Sequence, residues 1–162
     1  LNVGEMNLNI TLRNLGEQFR YKEQDAGLSV KLKTGLPDEE SMIVTDSTKL
    51  VQILSNLISN AIKFTKEGHV EFGYQYKNGS IEFFVKDTGI GISQEYHERI
   101  FDRFFQVDNV VSRKFGGTGL GLSISKAYVE ILGGKIWLHS RPGEGTVFYF
   151  TIPCKTKTSA AV

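Results

Sequence analysis

The chain has 162 residues, 40% of them hydrophobic, and a formal net charge of +1. That length fills one core rather than two, and near-neutral charge argues against broad attraction to nucleic acid or direct contact with an anionic membrane. Cys154, the single cysteine, excludes an internal disulfide and any multi-cysteine metal site, and no apolar run nears the roughly 20 residues that cross a bilayer.

The first helix is expected over residues 10–26, where Leu12, Leu15 and Phe19 continue a spacing begun by Leu8. Leu28, Val30 and Leu32 then alternate with polar residues, the period of a half-buried strand. Asp46 is placed to cap a strong helix whose apolar stripe is Leu50, Ile53, Leu54, Leu57, Ile58, Ala61 and Ile62. Strands over 70–76 and 81–85 flank Asn78-Gly79, a hairpin turn. Residues 87–121 are glycine-punctuated and mostly irregular, with a short helical piece near 94–101. A helix over 120–132 ends at Gly133-Gly134, and two last strands, near 135–140 and 146–152, enclose a turn at 141–145. Strands grouped beside segregated helices predict an α+β fold: a two-layer α/β sandwich, its mixed, mostly antiparallel sheet of about five strands covered on one face by about three helices. Phe83, Val85, Ile136, Phe148 and Phe150 are expected in the sheet core. The domain is expected to occupy residues 1–154 as a soluble cytoplasmic unit, with 155–162 as a polar tail.

Four segments carry polar residues that packing does not require. Asn56, Asn60 and Lys63 share one face of the second helix, offering two amide oxygens and an ammonium to a hard cation and a phosphate. A solvated helix face explains them equally well. Asp87-Thr88-Gly89-Ile90-Gly91-Ile92 follows a strand; its carboxylate suits an amine donor and its glycines admit close backbone approach, although an ordinary turn would look the same. Gly116-Gly117-Thr118-Gly119-Leu120-Gly121 opens a helix and frees N–H groups for phosphate, yet it is neither a P-loop nor a dinucleotide fingerprint; a plain glycine hinge is the alternative. Gly143-Glu144-Gly145-Thr146 is explained fully by hairpin geometry.

In this order and separation the segments resemble the ATP-binding catalytic domain of sensor histidine kinases, within the fold group shared with gyrase, Hsp90 and MutL. Residues 46–65 resemble the N box, 87–91 the G1 box, Phe101-Asp102-Arg103-Phe104-Phe105-Gln106 the F box, 117–121 the G2 box and 143–146 a G3 turn. The resemblance implies Mg²⁺ on Asn60 with Asn56 supporting the same shell, and phosphate contact from Lys63. It implies a base pocket lined by Phe64, an adenine N6 hydrogen bond to Asp87, and close ring approach at Gly91, with Gly89, Ile92 and Thr146 alongside. Gly117, Thr118, Gly119, Leu120 and Gly121 would donate main-chain N–H groups, under a mobile lid at 107–116 whose Arg113 and Lys114 are equally readable as surface charge. Many relatives carry arginine where Gln106 stands, so Arg103 or the lid cations are left to share its task at the γ-phosphate.

In hydrolysing relatives a glutamate occupies the position of Asn56, and an amide cannot accept a proton at neutral pH. General-base help is worth about 10²–10⁴ in rate, whereas phosphoryl transfer depends mainly on positioning and charge neutralisation. This favours a kinase over an ATP-hydrolysing clamp; a nucleotide-sensing module without transfer and a serine kinase of the same fold are the other readings. The acceptor histidine of the family precedes an acidic residue and a proline. His69, His97 and His139 lack that setting, so the resemblance puts the acceptor on a dimerisation domain before Leu1, with a response regulator as indirect partner, and this chain as the cytoplasmic catalytic part of a sensor kinase.

Overall fold

A computed structural model describes residues 1–105 and 121–153, with the side chains of 21–26 left undescribed. The expected sandwich is present. In chain order the elements are β1 (Gly4–Asn7), α1 (Leu8–Ala26), β2 (Ser29–Lys33), β3 (Met42–Thr45), α2 (Ser47–Lys63), β4 (His69–Lys77), β5 (Ser80–Asp87), α3 (Gly121–Ile131), β6 (Ile136–Ser140) and β7 (Thr146–Pro153). The main sheet has five strands in the order β2-β4-β5-β7-β6. Its β2–β4 pair is parallel and the other three pairs are antiparallel.

The sequence pattern accounts for most of these elements. In α2 the side chain of Asp46 accepts the Lys49 N–H at 3.2 Å, satisfying a donor the helix start would otherwise leave unpaired. Six members of the stripe behind it, Leu50 to Ala61, are buried, and each Leu or Ile contributes roughly 1.5–3 kcal/mol on leaving water. In β5, Ile81, Phe83 and Val85 face the helices while Glu82, Phe84 and Lys86 face away. Phe83 stacks on Phe150 of β7 with ring centroids 4.7 Å apart. The β4–β5 turn places Asn78 and Gly79 at φ 50° and 80°, as a tight hairpin of matching twist requires.

Three details differ from the expectation. The helix begins at Leu8 rather than 10, because Asn7 caps it by accepting the Ile10 N–H at 3.0 Å. β1 and β3 form a separate antiparallel ladder that was not foreseen. The short helical piece resolves into two 3₁₀ turns, Gln94–Tyr96 and Arg99–Phe101. Among the described residues no helix is long and apolar enough to cross a membrane.

One buried polar group of the core is fully accounted for. Asn9, with no exposure, donates to the Leu36 carbonyl at 2.9 Å and to Asp38 at 2.8 Å, and accepts the Tyr74 hydroxyl. These bonds tie α1 to β4 and to the loop after β2, offsetting the cost of burying the amide.

Candidate functional site

The end of α2 and two glycine turns meet at one edge of the sandwich. The last turn of α2 presents Asn60 and Lys63, both half-buried, and the cap residue Phe64 is half-buried beside them. Thr65 closes the helix by donating its hydroxyl to the Ala61 carbonyl at 2.7 Å. The Ile90 N–H then donates to the Phe64 carbonyl at 3.2 Å. The turn bearing Asp87 is thereby bonded directly to the helix end bearing Asn60.

Several bonds fix that turn from its other sides. The Thr88 hydroxyl accepts the His69 N–H at 3.1 Å. The Gly143 N–H donates to the Ile90 carbonyl at 2.7 Å. The Ile92 N–H donates to Ser140 Oγ at 2.7 Å. Ser140 spends its own proton on the Gly145 carbonyl at 2.9 Å, so Thr146, 2.7 Å away, donates to Ser140 and keeps its lone pairs. Gly91 sits at φ +75°, and a Cβ there would strike the Arg141 carbonyl. A side chain at position 91 would therefore be strained and would collide with the 141–146 turn.

Asp87 ends β5 opposite Thr146 and is only 8% exposed. Its Oδ1 accepts the Gly89 N–H at 2.8 Å. Burial pushes its carboxyl above the usual carboxylate range, and the Gly89 and Thr146 N–H groups pull partly the other way. No cation pairs with it among the described residues. A buried carboxylate without a cation is costly, and it is retained most readily where a ligand donor completes its hydrogen bonds.

Asn60 and Lys63 differ in kind. Among the described residues neither side chain has a hydrogen-bond or ion-pair partner.

The sequence matches the family of histidine kinase-, DNA gyrase B-, and HSP90-like ATPases over residues 45–156. The catalytic domain of histidine kinase ThkA superposes with a TM-score of 0.81 at 32% identity, over 94% of this chain and 96% of that one. This chain belongs to the catalytic domains of sensor histidine kinases. The sensor histidine kinase WalK of Bacillus subtilis is 44% identical over 78% of this chain, which spans 21% of WalK. Full-length ShkA, in complex with AMPPNP, superposes with a TM-score of 0.85 at 30% identity, over 96% of this chain and 32% of that one. ThkA also occurs in complex with the response regulator TrrA, there with a TM-score of 0.76 at 31% identity, over 93% of this chain and 41% of that one.

For a kinase catalytic domain, the structure gathers Asn60, Lys63, Phe64, Asp87, Gly89, Gly91, Ile92 and Thr146 at one edge. Asn56, one turn earlier, points its amide at α3: Nδ2 lies 3.3 Å from both the Gly121 carbonyl and Ser125 Oγ, while Oδ1 accepts from Gln52 at 3.0 Å. Asn56 therefore links α2 to the residue that opens α3. Arg103 is exposed and lies over the Phe104 ring at 5.4 Å, and no described contact brings it to the groove. Gln106, Gly117, Thr118, Gly119, Leu120, the lid at 107–116 with Arg113 and Lys114, and the tail from Cys154 onward lie outside the described residues. Sequence reasoning missed Ser140, the hydroxyl on which both glycine turns converge. A polar residue closing a strand before a glycine turn is its only local signal.

Proposed function

We propose that this domain binds ATP with Mg²⁺ and donates the γ-phosphate to a histidine on a separate dimerisation domain, from which a response regulator receives it. One observation carries the reading: the Ile90–Phe64 bond joins the turn of the buried Asp87 carboxylate to the helix end that bears Asn60. Asp87 would accept the adenine N6 hydrogen bond, Gly91 would admit the ring, and Lys63 would meet phosphate oxygens.

The donor set fits Mg²⁺ carried by the nucleotide. Among the described residues no cluster of three or more His, Cys, Asp or Glu could hold a metal by itself. Mg²⁺ commonly takes one or two protein oxygens plus phosphate and water, and Asn60 can supply one; the Asn56 amide is held by Gln52, Gly121 and Ser125 instead. When bound, the ion neutralises charge on the β- and γ-phosphates. The imidazole nitrogen of the partner forms the new P–N bond as the bond from γ-phosphorus to the bridging oxygen breaks, and ADP leaves. Asn60 and Lys63 position the triphosphate for that step, and Asp87 holds the base. With Asn56 at the position of the hydrolases' glutamate, water is left without a base.

The test mixes this domain, ATP, Mg²⁺ and a separately made phosphoacceptor domain. Acid-labile phosphate on the partner is expected, with little phosphate release from the domain alone. ATP binding without transfer would favour a sensing module, and rapid release without the partner would favour a clamp-type hydrolase.

A further inference from the structure

The main sheet has a second face that takes no part in the groove, and among the described residues nothing packs over it. Strand register sets Lys33, Gly73, Phe84, Tyr149 and Trp137 in one row across all five strands. Phe84, Tyr149 and Trp137 are half-buried by one another and their neighbours, with Trp137 stacked on Tyr149 at 5.5 Å. The gap in the row is Gly73, where a Cβ would strike the Lys33 carbonyl. The Lys33 main chain takes the place of a side chain there, and Gly73 is buried.

Beside the row lies a groove of about 360 Å³, lined by Phe84, Val147 and Tyr149 and by the charged Lys33, Lys86 and Glu82. Its size suits a few side chains. Charge around it is unbalanced. Lys31, Lys33 and Lys86 are exposed and have no ion-pair partner among the described residues, whereas Lys77 is held by Glu82 at 3.4 Å. Glu71, between Lys31 and Lys86 in the register, is the face's one carboxylate outside a pair.

We propose that this face docks an acidic polypeptide segment of a partner protein through an aromatic or aliphatic anchor. The anchor would enter the groove against Phe84 and Tyr149, and flanking Asp or Glu side chains would meet Lys33 and Lys86. Apolar centres with charged rims are how such segments are held, the rim setting specificity and encounter rate. Sheet packing alone explains the Trp137–Tyr149 stack, but not three lysines on one face without an ion-pair partner among the described residues, two of them lining an apolar groove. An anionic lipid surface fits less well, because it would press on Glu71 and Glu82, which a peptide can avoid by placement of its charges.

A random peptide library selected against the AMPPNP-saturated chain tests the proposal. Enrichment of Asp and Glu around one apolar residue is expected. The selected peptide should shift amide resonances of β2, β5 and β7, bind about tenfold more weakly to Lys33→Glu, and weaken as salt rises. Lys33 is exposed, so melting temperature and AMPPNP affinity should be unchanged in that variant. Phe84→Ser gives a second, uncharged check and should also weaken the peptide. Selection without an acidic consensus, equal binding to both variants, or binding of phosphatidylserine vesicles in place of the peptide would overturn the proposal.

Discussion

The two ends of the candidate site are built differently. At the Asp87 end the turn is tied on three sides before any ligand arrives: Ile90 to Phe64, Gly143 to Ile90, and Ile92 to Ser140. At the Asn60 end the side chains of Asn60 and Lys63 have no partners among the described residues. A flat, rigid base is recognised through one fixed donor–acceptor distance, which rewards pre-organisation. A charged triphosphate brings its own oxygens and cation, so uncommitted polar atoms serve it better. On the proposed function, the Asp87 end should therefore govern affinity, and the Asn60 end should govern rate.

The largest expected effect breaks the Asn60 end. Asn60→Ala should lower phosphotransfer to the partner histidine by about 10²–10³-fold, the range seen when a single transition-state contact is removed. Radiolabel on the partner measures it, and transfer retained at ordinary Mg²⁺ levels would remove Asn60 from its assigned role.

Next comes the Asp87 end. Asp87→Asn should weaken ATP binding by roughly 10–100-fold, the worth of a hydrogen bond to a charged group, because an amide can present a donor to the N6 amine. Calorimetry checks this. The same variant should melt no lower than the parent at neutral pH. Because the folded-state pKa of Asp87 is raised, its burial costs nothing below the unfolded carboxylate value and destabilises as pH rises through the folded one. Removing the charge relieves that cost. ATP affinity should change in the opposite sense, falling on acidification at a pH above the ordinary aspartate value of about 3.9. A titration flat down to that value would refute the raised pKa.

An effect of comparable size sharpens the contrast. Gly91→Ala combines positive φ with the Arg141 collision, costing about 1–3 kcal/mol. Loss should show in melting temperature and ATP affinity, with the transfer rate at saturating ATP nearly kept. Smallest of all, Asn56→Ala should cost about 0.5–1.5 kcal/mol in chemical denaturation. Ser125 keeps its own bond to the Gly121 carbonyl at 2.9 Å, so the start of α3 is not left unsupported.

Much of the fold was legible because its signals are local. The stripe of α2, the cap at Asp46, the Asn78-Gly79 turn and the alternation in β5 each lie within a few residues. The candidate site was legible as a set of polar residues without packing duties, Asn60, Lys63 and Asp87 among them. Their grouping was not, since no spacing says that the Ile90 N–H seeks the Phe64 carbonyl. β1 escaped because Gly4-Glu5-Met6-Asn7 has no useful period and pairs with residues far along the chain.

The amino-acid order by itself determined the helical and strand periods, the chain breaks, and the succession of asparagine face, aspartate turn and glycine loop. Tertiary structure alone decided which partners those groups found: Asn56 with Gly121, Asn9 with Tyr74 and Asp38, and Ser140 with both turns. It also decided that Lys33, Phe84, Tyr149 and Trp137 share one row of the sheet. The reason is physical: backbone conformation follows from neighbours in sequence, while a hydrogen-bond partner or an exposed row follows from which surfaces the buried apolar stripes bring together.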